Sequence, residues 1–375
     1  MLPSRLRSLY EIQHTTHITL YSMEGLRGLA VFLVFMVHYV TLAGPWIYNT
    51  GWFFQGMALI RSLGNTGVDL FFVLSGYLIY GSLIRKERPF IPYLRRRIER
   101  IYPTFSVVLL IYLLLSYLLP EKSRIPNSLW DGVRYIAENF LLLPGIFNIE
   151  PIITVAWSLS YEFFFYLTVP LLIYLLRLRY WPSQYRILFF TFFGITILTI
   201  PTVVVGHIRL AMFIAGILVF EVAAHLRPPK FIDGLALLAL ASALVGTVAQ
   251  KVLGFDGQWK FGILGFSFFV LCLVCFTVDG YSSRAFRWRP LRWLGNISYS
   301  YYLLHGLVLN AFFLAAYKVI PPDGNNVLAF CLGLAASFPA TFVASTVLFA
   351  LIEKPLSLTN RRRTPVVSTK TDCAP

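Results

Sequence analysis

Acidic residues are scarce in this chain. Its 375 residues hold 17 Asp and Glu against 32 Lys and Arg, and charged side chains of both signs make up only 13%. A soluble domain carries about a quarter charged residues, so an ordinary water-facing surface is excluded. Cysteine is also rare, with four scattered copies. Cys272 and Cys275 form a C-x-x-C inside an apolar run with no neighbouring histidine or acid, which reads as small core residues and not as a metal site. No small-residue cleavage signal follows the first apolar run, so the start is not read as a secretory signal. No internal repeat is visible. The polar–apolar alternation over about ten residues that a barrel strand needs is missing too.

What fills the chain instead is hydrocarbon: 57% of residues are hydrophobic and the mean hydropathy is +0.69. Runs of about 18 or more apolar residues recur from end to end, the mark of membrane-crossing helices. Ten spans are expected, near 28–45, 66–84, 103–119, 155–176, 187–205, 210–226, 231–249, 261–279, 296–319 and 327–352. With the amino terminus placed inside, 24 of the 32 Lys and Arg fall on the inner side, which leaves 8 outside. That bias predicts an all-α polytopic bundle with both termini cytoplasmic, and it explains the net charge of +15 without nucleic acid. The expected domains are a cytoplasmic arm over 1–22, a transmembrane domain over 23–355 and a disordered tail over 356–375. The outer segment near 120–154 is expected to carry a short interfacial helix or a re-entrant piece. The first outer loop, "GPWIYNTGWFFQGM", reads as interface anchoring or, alternatively, as a lip for an acceptor.

Ionisable residues inside lipid mark partners or cavities. The first span reads "MEGLRGLAVFLVFMVH", with Arg27 and His38 eleven positions apart. Eleven steps of about 100° nearly complete three turns, so both side chains share one face about 16 Å apart along the axis. Asp69 in the second span and Glu162 in the fourth fall at a depth comparable with His38. One imidazole and two carboxylates at one level suit a general base with an orienting partner. A structural polar network tying helices together is the alternative. On the inner side, residues 85–103 hold seven basic residues against Glu87 and Glu99. On a helix, Arg96, Arg97 and Arg100 converge at i, i+3 and i, i+4, a cluster suited to phosphate or to lipid headgroups. His305 lies within the ninth span, as packing or as a second cavity-lining histidine. Ser75, Trp157, Ser158 and Tyr161 are further candidate cavity-lining residues. Glu353 and Lys354 are expected in a salt bridge, and His207 and His225 at interfaces, while Glu221 suggests no partner.

Five stretches occur in order: "MEGLRGLAVFLVFMVH", "GVDLFFVLSGYLI", "RRRIERIYP", "WSLSYEFFFYL" and "SYSYYLLH". Together they resemble the membrane-bound acyltransferase-3 family over residues 23–305, and the helix layout extends the likeness to about 355. The family's Arg-x10-His and Arg-x-x-Arg hallmarks are matched by Arg27/His38 and Arg97/Arg100. The resemblance implies an integral O-acyltransferase that moves an acyl group, by family habit acetyl, from cytoplasmic acyl-CoA to a hydroxyl of a cell-envelope saccharide or glycolipid. Family acceptors include lipopolysaccharide, exopolysaccharide, peptidoglycan and secondary metabolites. It further implies His38 as general base oriented by Asp69 or Glu162, donor phosphates on Arg27, Arg96, Arg97 and Arg100, and a bacterial inner-membrane location. Acyl-CoA is then a co-substrate, with no permanently bound cofactor and no metal. The expected partners are the donor, the saccharide acceptor and membrane lipids. Some members carry an extra soluble hydrolase-like domain, so a separate partner or none is expected here. Direct attack on the thioester and an acyl-histidine relay both remain open. A secondary transporter is the alternative from another class, although it would favour inverted repeats and broken helices.

Overall fold

The computed structural model describes residues 10–11, 18–200, 207–225, 229–254 and 257–358. Much of the expected arm and residues 359–375 of the expected tail lie outside the described residues. Among those described, the secondary structure is helical, and one isolated bridge joins Pro144 to Phe147. The helices are α1 Ile18–Ala43, α2 Trp52–Gly64, α3 Thr66–Ile84, α4 Phe90–Leu118, α5 Leu129–Phe140, α6 Trp157–Leu175 and α7 Ser183–Thr199. They continue with α8 Leu210–Ala223, α9 Gly234–Leu253, α10 Gly257–Thr277, α11 Tyr281–Phe286, α12 Arg289–Asn296, α13 Ser298–Val319 and α14 Val327–Leu348. A π-helical segment, Phe349–Leu358, extends α14.

Eight helical stretches among the described residues are long and apolar enough to cross a membrane, and α8 is a shorter apolar helix. Together they make a polytopic all-α membrane bundle; α7 stands at the place of the expected fifth span, whose residues 201–205 lie outside the described residues. α8 is apolar on every side apart from Glu221 because its neighbours cover it: it packs against α3, α7 and α10, and most of its residues are buried. α1 is the central post, in contact with α2, α3, α12 and α13.

Lipid offers no hydrophobic drive between helices, so close packing holds the bundle together. Glycine permits that closeness where α1 meets the α11–α12 turn. A methyl group at Gly25 would lie 1.7 Å from the Phe286 carbonyl oxygen, and one at Gly28 would lie 2.0 Å from that of Leu291. Reciprocally, one at Gly295 would lie 1.7 Å from the carbonyl oxygen of Glu24. The two glycines of the "EGLRG" stretch are therefore contact points that seat a neighbouring segment beside Arg27. α3 and α8 interlock in the same way through Gly76 and Gly216.

Three elements differ from the sequence reading. The first outer loop is largely helical: Trp52–Gly64 forms α2, which packs on α1 and leads into α3 at Asn65. α4 starts at Phe90 and runs through Pro103, the expected start of that span. The basic stretch and the span are thus one continuous helix. Third, the helix after Leu348 widens into π geometry around Pro355, which has no N–H to return to the preceding turn. A short helix, α5, is present in the segment near 120–154, with Leu129, Trp130 and Val133 exposed along one face.

Candidate active site

Two parallel helices, α1 and α13, bring histidines together. Ser298 and His305 are seven residues apart, nearly two full turns, and so share a face of α13 as Arg27 and His38 share one of α1. The two faces meet at both levels. Arg27 donates from Nε and Nη2 to Ser298 Oγ at 3.2 and 3.1 Å. His38 Nδ1 and His305 Nε2 are 3.2 Å apart. The axial separations, about 16 Å on α1 and 10 Å on α13, differ by about the reach of an arginine side chain. Arg27 therefore extends along the bundle towards the histidines.

The network assigns the histidine protons. His38 Nδ1 lies 2.9 Å from the Val34 carbonyl oxygen, and His305 Nδ1 lies 3.1 Å from that of Tyr301. A carbonyl only accepts, so each Nδ1 carries the hydrogen. His305 Nε2 then accepts the second branch of the shared His38 Nδ1–H. The remaining nitrogen, His38 Nε2, keeps its lone pair. His305 is fully buried and His38 is half-buried, which makes His38 the reachable member.

Neither Asp69 nor Glu162 hydrogen-bonds to His38. Asp69 Oδ1 instead faces Arg209 Nη1 at 3.5 Å. Glu162 accepts from Ser75 Oγ at 3.0 Å and from the Tyr166 hydroxyl at 2.5 Å. His38 is oriented by a second imidazole, and each carboxylate serves a cation or hydroxyls elsewhere. The other expected lining residues have partners of their own. Ser158 Oγ is 2.7 Å from the Tyr302 hydroxyl, whose ring is 5.9 Å from that of His305. Tyr161 meets His207 Nδ1 at 2.7 Å, and Trp157 lies under Arg209.

The basic cluster resolves into separate roles. Arg100 Nη1 pairs with Glu353 Oε1 at 2.7 Å, and Glu353 Oε2 accepts from the Ser300 backbone N–H at 3.1 Å and its Oγ at 2.6 Å. Arg97 lies 5.3 Å from the Tyr93 ring and 5.2 Å from the Tyr166 ring, with no ion pair among the described residues. Arg96 is exposed and stands apart from the other two. Arg27, Arg97 and Arg100 with Glu162 and Glu353 form one polar region below the histidines.

Several of these partners were out of reach of local spacing. Glu353 as the mate of Arg100, Ser298 as that of Arg27, and Tyr302 and Arg209 all lie far along the chain from what they touch. Glu221 likewise finds Tyr80, Ser183 and Arg186. Among the described residues, no group of three or more His, Cys, Asp and Glu side chains is arranged to hold a metal ion.

Comparison with known proteins places the chain in a family. Over 121 residues the chain is 37% identical to acyltransferase MdmB of Streptomyces mycarofaciens, covering 32% of this chain and 30% of that protein. It is 26% identical over 284 residues to O-acetyltransferase OatA of Staphylococcus aureus, covering 64% and 45% respectively. It is also 23% identical over 345 residues to peptidoglycan O-acetyltransferase OatA of Listeria monocytogenes, covering 78% and 51%. The chain thus spans between about a third and a half of the length of these curated relatives. No solved structure matches it. The family model described as an acyltransferase domain matches residues 20–346, which takes in Arg27, His38, Arg97, Arg100 and His305: the chain belongs to the acyltransferase-3 family.

Proposed function

We propose that the protein is an O-acyltransferase of a bacterial inner membrane that takes an acyl group, acetyl in the first instance, from cytoplasmic acyl-CoA. The acceptor is a hydroxyl of a cell-envelope saccharide or glycolipid. The observation that carries this reading is the lone pair left on His38 Nε2 by the His38–His305 pair, on the same helix face as Arg27.

Arg27, Arg97 and Arg100 hold the donor's phosphates. Ser298 and Glu353 engage only some of the N–H groups of Arg27 and Arg100, and a guanidinium has five. Arg97 brings a cation without an ion pair among the described residues. Arg96, turned outward, is left out of this clamp. The acyl-bearing arm then runs along the bundle towards His38, over an axial distance of about 16 Å from Arg27. His38 Nε2 accepts the acceptor's hydroxyl proton while that oxygen attacks the thioester carbonyl. The C–O bond forms, the C–S bond breaks, and the CoA thiolate leaves. His305 holds His38 in the tautomer that leaves Nε2 bare, as a base-orienting partner does in other acyl transfers. Asp69 and Glu162 act on cations and hydroxyls around the centre and not on His38 itself. The names of the Staphylococcus and Listeria relatives, both O-acetyltransferases, support this reading.

The test is transfer of label from acetyl-CoA by purified protein in lipid nanodiscs. His38→Ala, still folded, should lose about 10²–10⁴-fold in rate, the usual worth of a general base. His305→Ala should lose less, because it acts through His38. Transfer by His38→Ala at the parent rate would sink the assignment.

A further inference from the structure

A second cluster lies at the opposite end of the bundle from Arg97 and Arg100. α3 and α4 are consecutive and joined by a short connection, so the start of α3, with Asp69, is far from the start of α4. The starts of α6 and α8 lie with Asp69 and bring Trp157, Tyr161 and Arg209 to it. Arg209 is clamped between aromatic faces, 5.0 Å from the Trp157 ring and 5.5 Å from that of Phe261. Among the described residues its guanidinium donates no hydrogen bond. Its one carboxylate neighbour, Asp69, is 3.5 Å away, beyond a good hydrogen bond. Asp69 is buried, and its Oδ1 has no hydrogen-bond partner. Lys260 adds a second cation within electrostatic reach of both. Among the described residues, two cations against one carboxylate give this corner one positive charge in excess.

The corner leads to the base. Trp157 adjoins Ser158, Ser158 bonds to Tyr302, Tyr302 flanks His305, and His305 meets His38. The mechanism proposed above uses none of Arg209, Lys260 or His207. A guanidinium fixed in plane by two rings, with an open N–H edge, matches a carboxylate in shape and charge. A neutral guest would leave the excess charge unmatched in a half-buried site.

We propose that the corner of Trp157, Tyr161, His207 and Arg209 is the acceptor subsite, and that it takes a sugar bearing a carboxylate. This rests on the acyl-transfer reading and names its acceptor class. Arg209 and Lys260 hold the carboxylate, and the Tyr161–His207 pair offers hydrogen bonds to the ring hydroxyls.

The experiment compares p-nitrophenyl β-D-glucuronide with p-nitrophenyl β-D-glucoside, which differ only at C6, a carboxylate in the first and a hydroxymethyl group in the second. Binding to the full chain in nanodiscs is read by saturation-transfer NMR without any donor, and acyl transfer is read separately with acetyl-CoA. The glucuronide should bind about tenfold tighter, the scale of one charge-assisted bidentate contact. The double variant Asp69→Asn/Arg209→Gln, which leaves no unpaired buried carboxylate, should bring the ratio down to about three, the share left to Lys260. A second variant, Lys260→Gln, leaves the Asp69–Arg209 pair in place and should lower the ratio about threefold through loss of one nearby charge. Equal binding of the two glycosides by the parent, or an unchanged ratio in both variants, overturns the subsite. Clear preference for the glucuronide with no transfer from acetyl-CoA to either sugar would instead overturn the acyl-transfer reading and leave an anion-binding corner.

Discussion

Arg97 and Arg100 lie one turn apart on α4, yet their loss has different chemical consequences. Glu353 is fully buried and takes its charge balance from Arg100. Arg100→Ala strands that carboxylate, at a cost of about 3–5 kcal/mol, and should lower the melting temperature in scanning fluorimetry. Adding Glu353→Gln should recover much of the loss. Arg97, lodged between phenol rings, leaves no orphan behind. Arg97→Ala should therefore melt near the parent while the KM for acetyl-CoA rises about tenfold, as expected for one lost phosphate contact. A similar drop in melting temperature for both variants would remove the distinction. At this scale the eleven-residue step between Arg27 and His38 was legible, because helical phase is a local property. The choice of His305 over Asp69 as the partner of His38 was not. Depth along a span can be counted from the sequence, but the azimuth of one helix about another cannot.

The contact of α1 with the α11–α12 turn depends on atoms that are absent from glycine. Gly28→Ala or Gly295→Ala drives a methyl group into a carbonyl oxygen at 2.0 or 1.7 Å. Such overpacking costs about 1–3 kcal/mol, or more where backbone has to move. Gly44→Ala meets nothing within 4 Å and serves as the control. Melting temperatures should separate the three, with both crowded variants low and Gly44→Ala near the parent. The helices themselves were legible from their apolar runs. The misread elements share a cause: Pro103 resembles a helix start and Gly51–Trp52 a loop, yet neighbouring helices and lipid keep both segments helical.

Charge asymmetry and helix order together predict how the whole molecule lies in its membrane. Trp52 at the start of α2 and Tyr281 at the start of α11 are both strongly exposed, and they fall on opposite sides in the ten-span topology. In a Cys331→Ser/Cys373→Ser background, Trp52→Cys should react with a membrane-impermeant maleimide in intact bacterial spheroplasts. Tyr281→Cys should react only after permeabilisation. The reverse pattern would invert the topology and place the Arg97–Arg100 cluster on the side that lacks acyl-CoA.

The glycine-to-carbonyl seats on α1 work as a gauge. They fix the height at which α12, and after it α13, begins beside Arg27, and therefore the height at which His305 arrives opposite His38. A slip of one helical turn, about 5.4 Å, would part the two imidazoles while every span stayed buried in lipid. Sequence drift at residues that touch neither substrate could thus silence the protein without unfolding it.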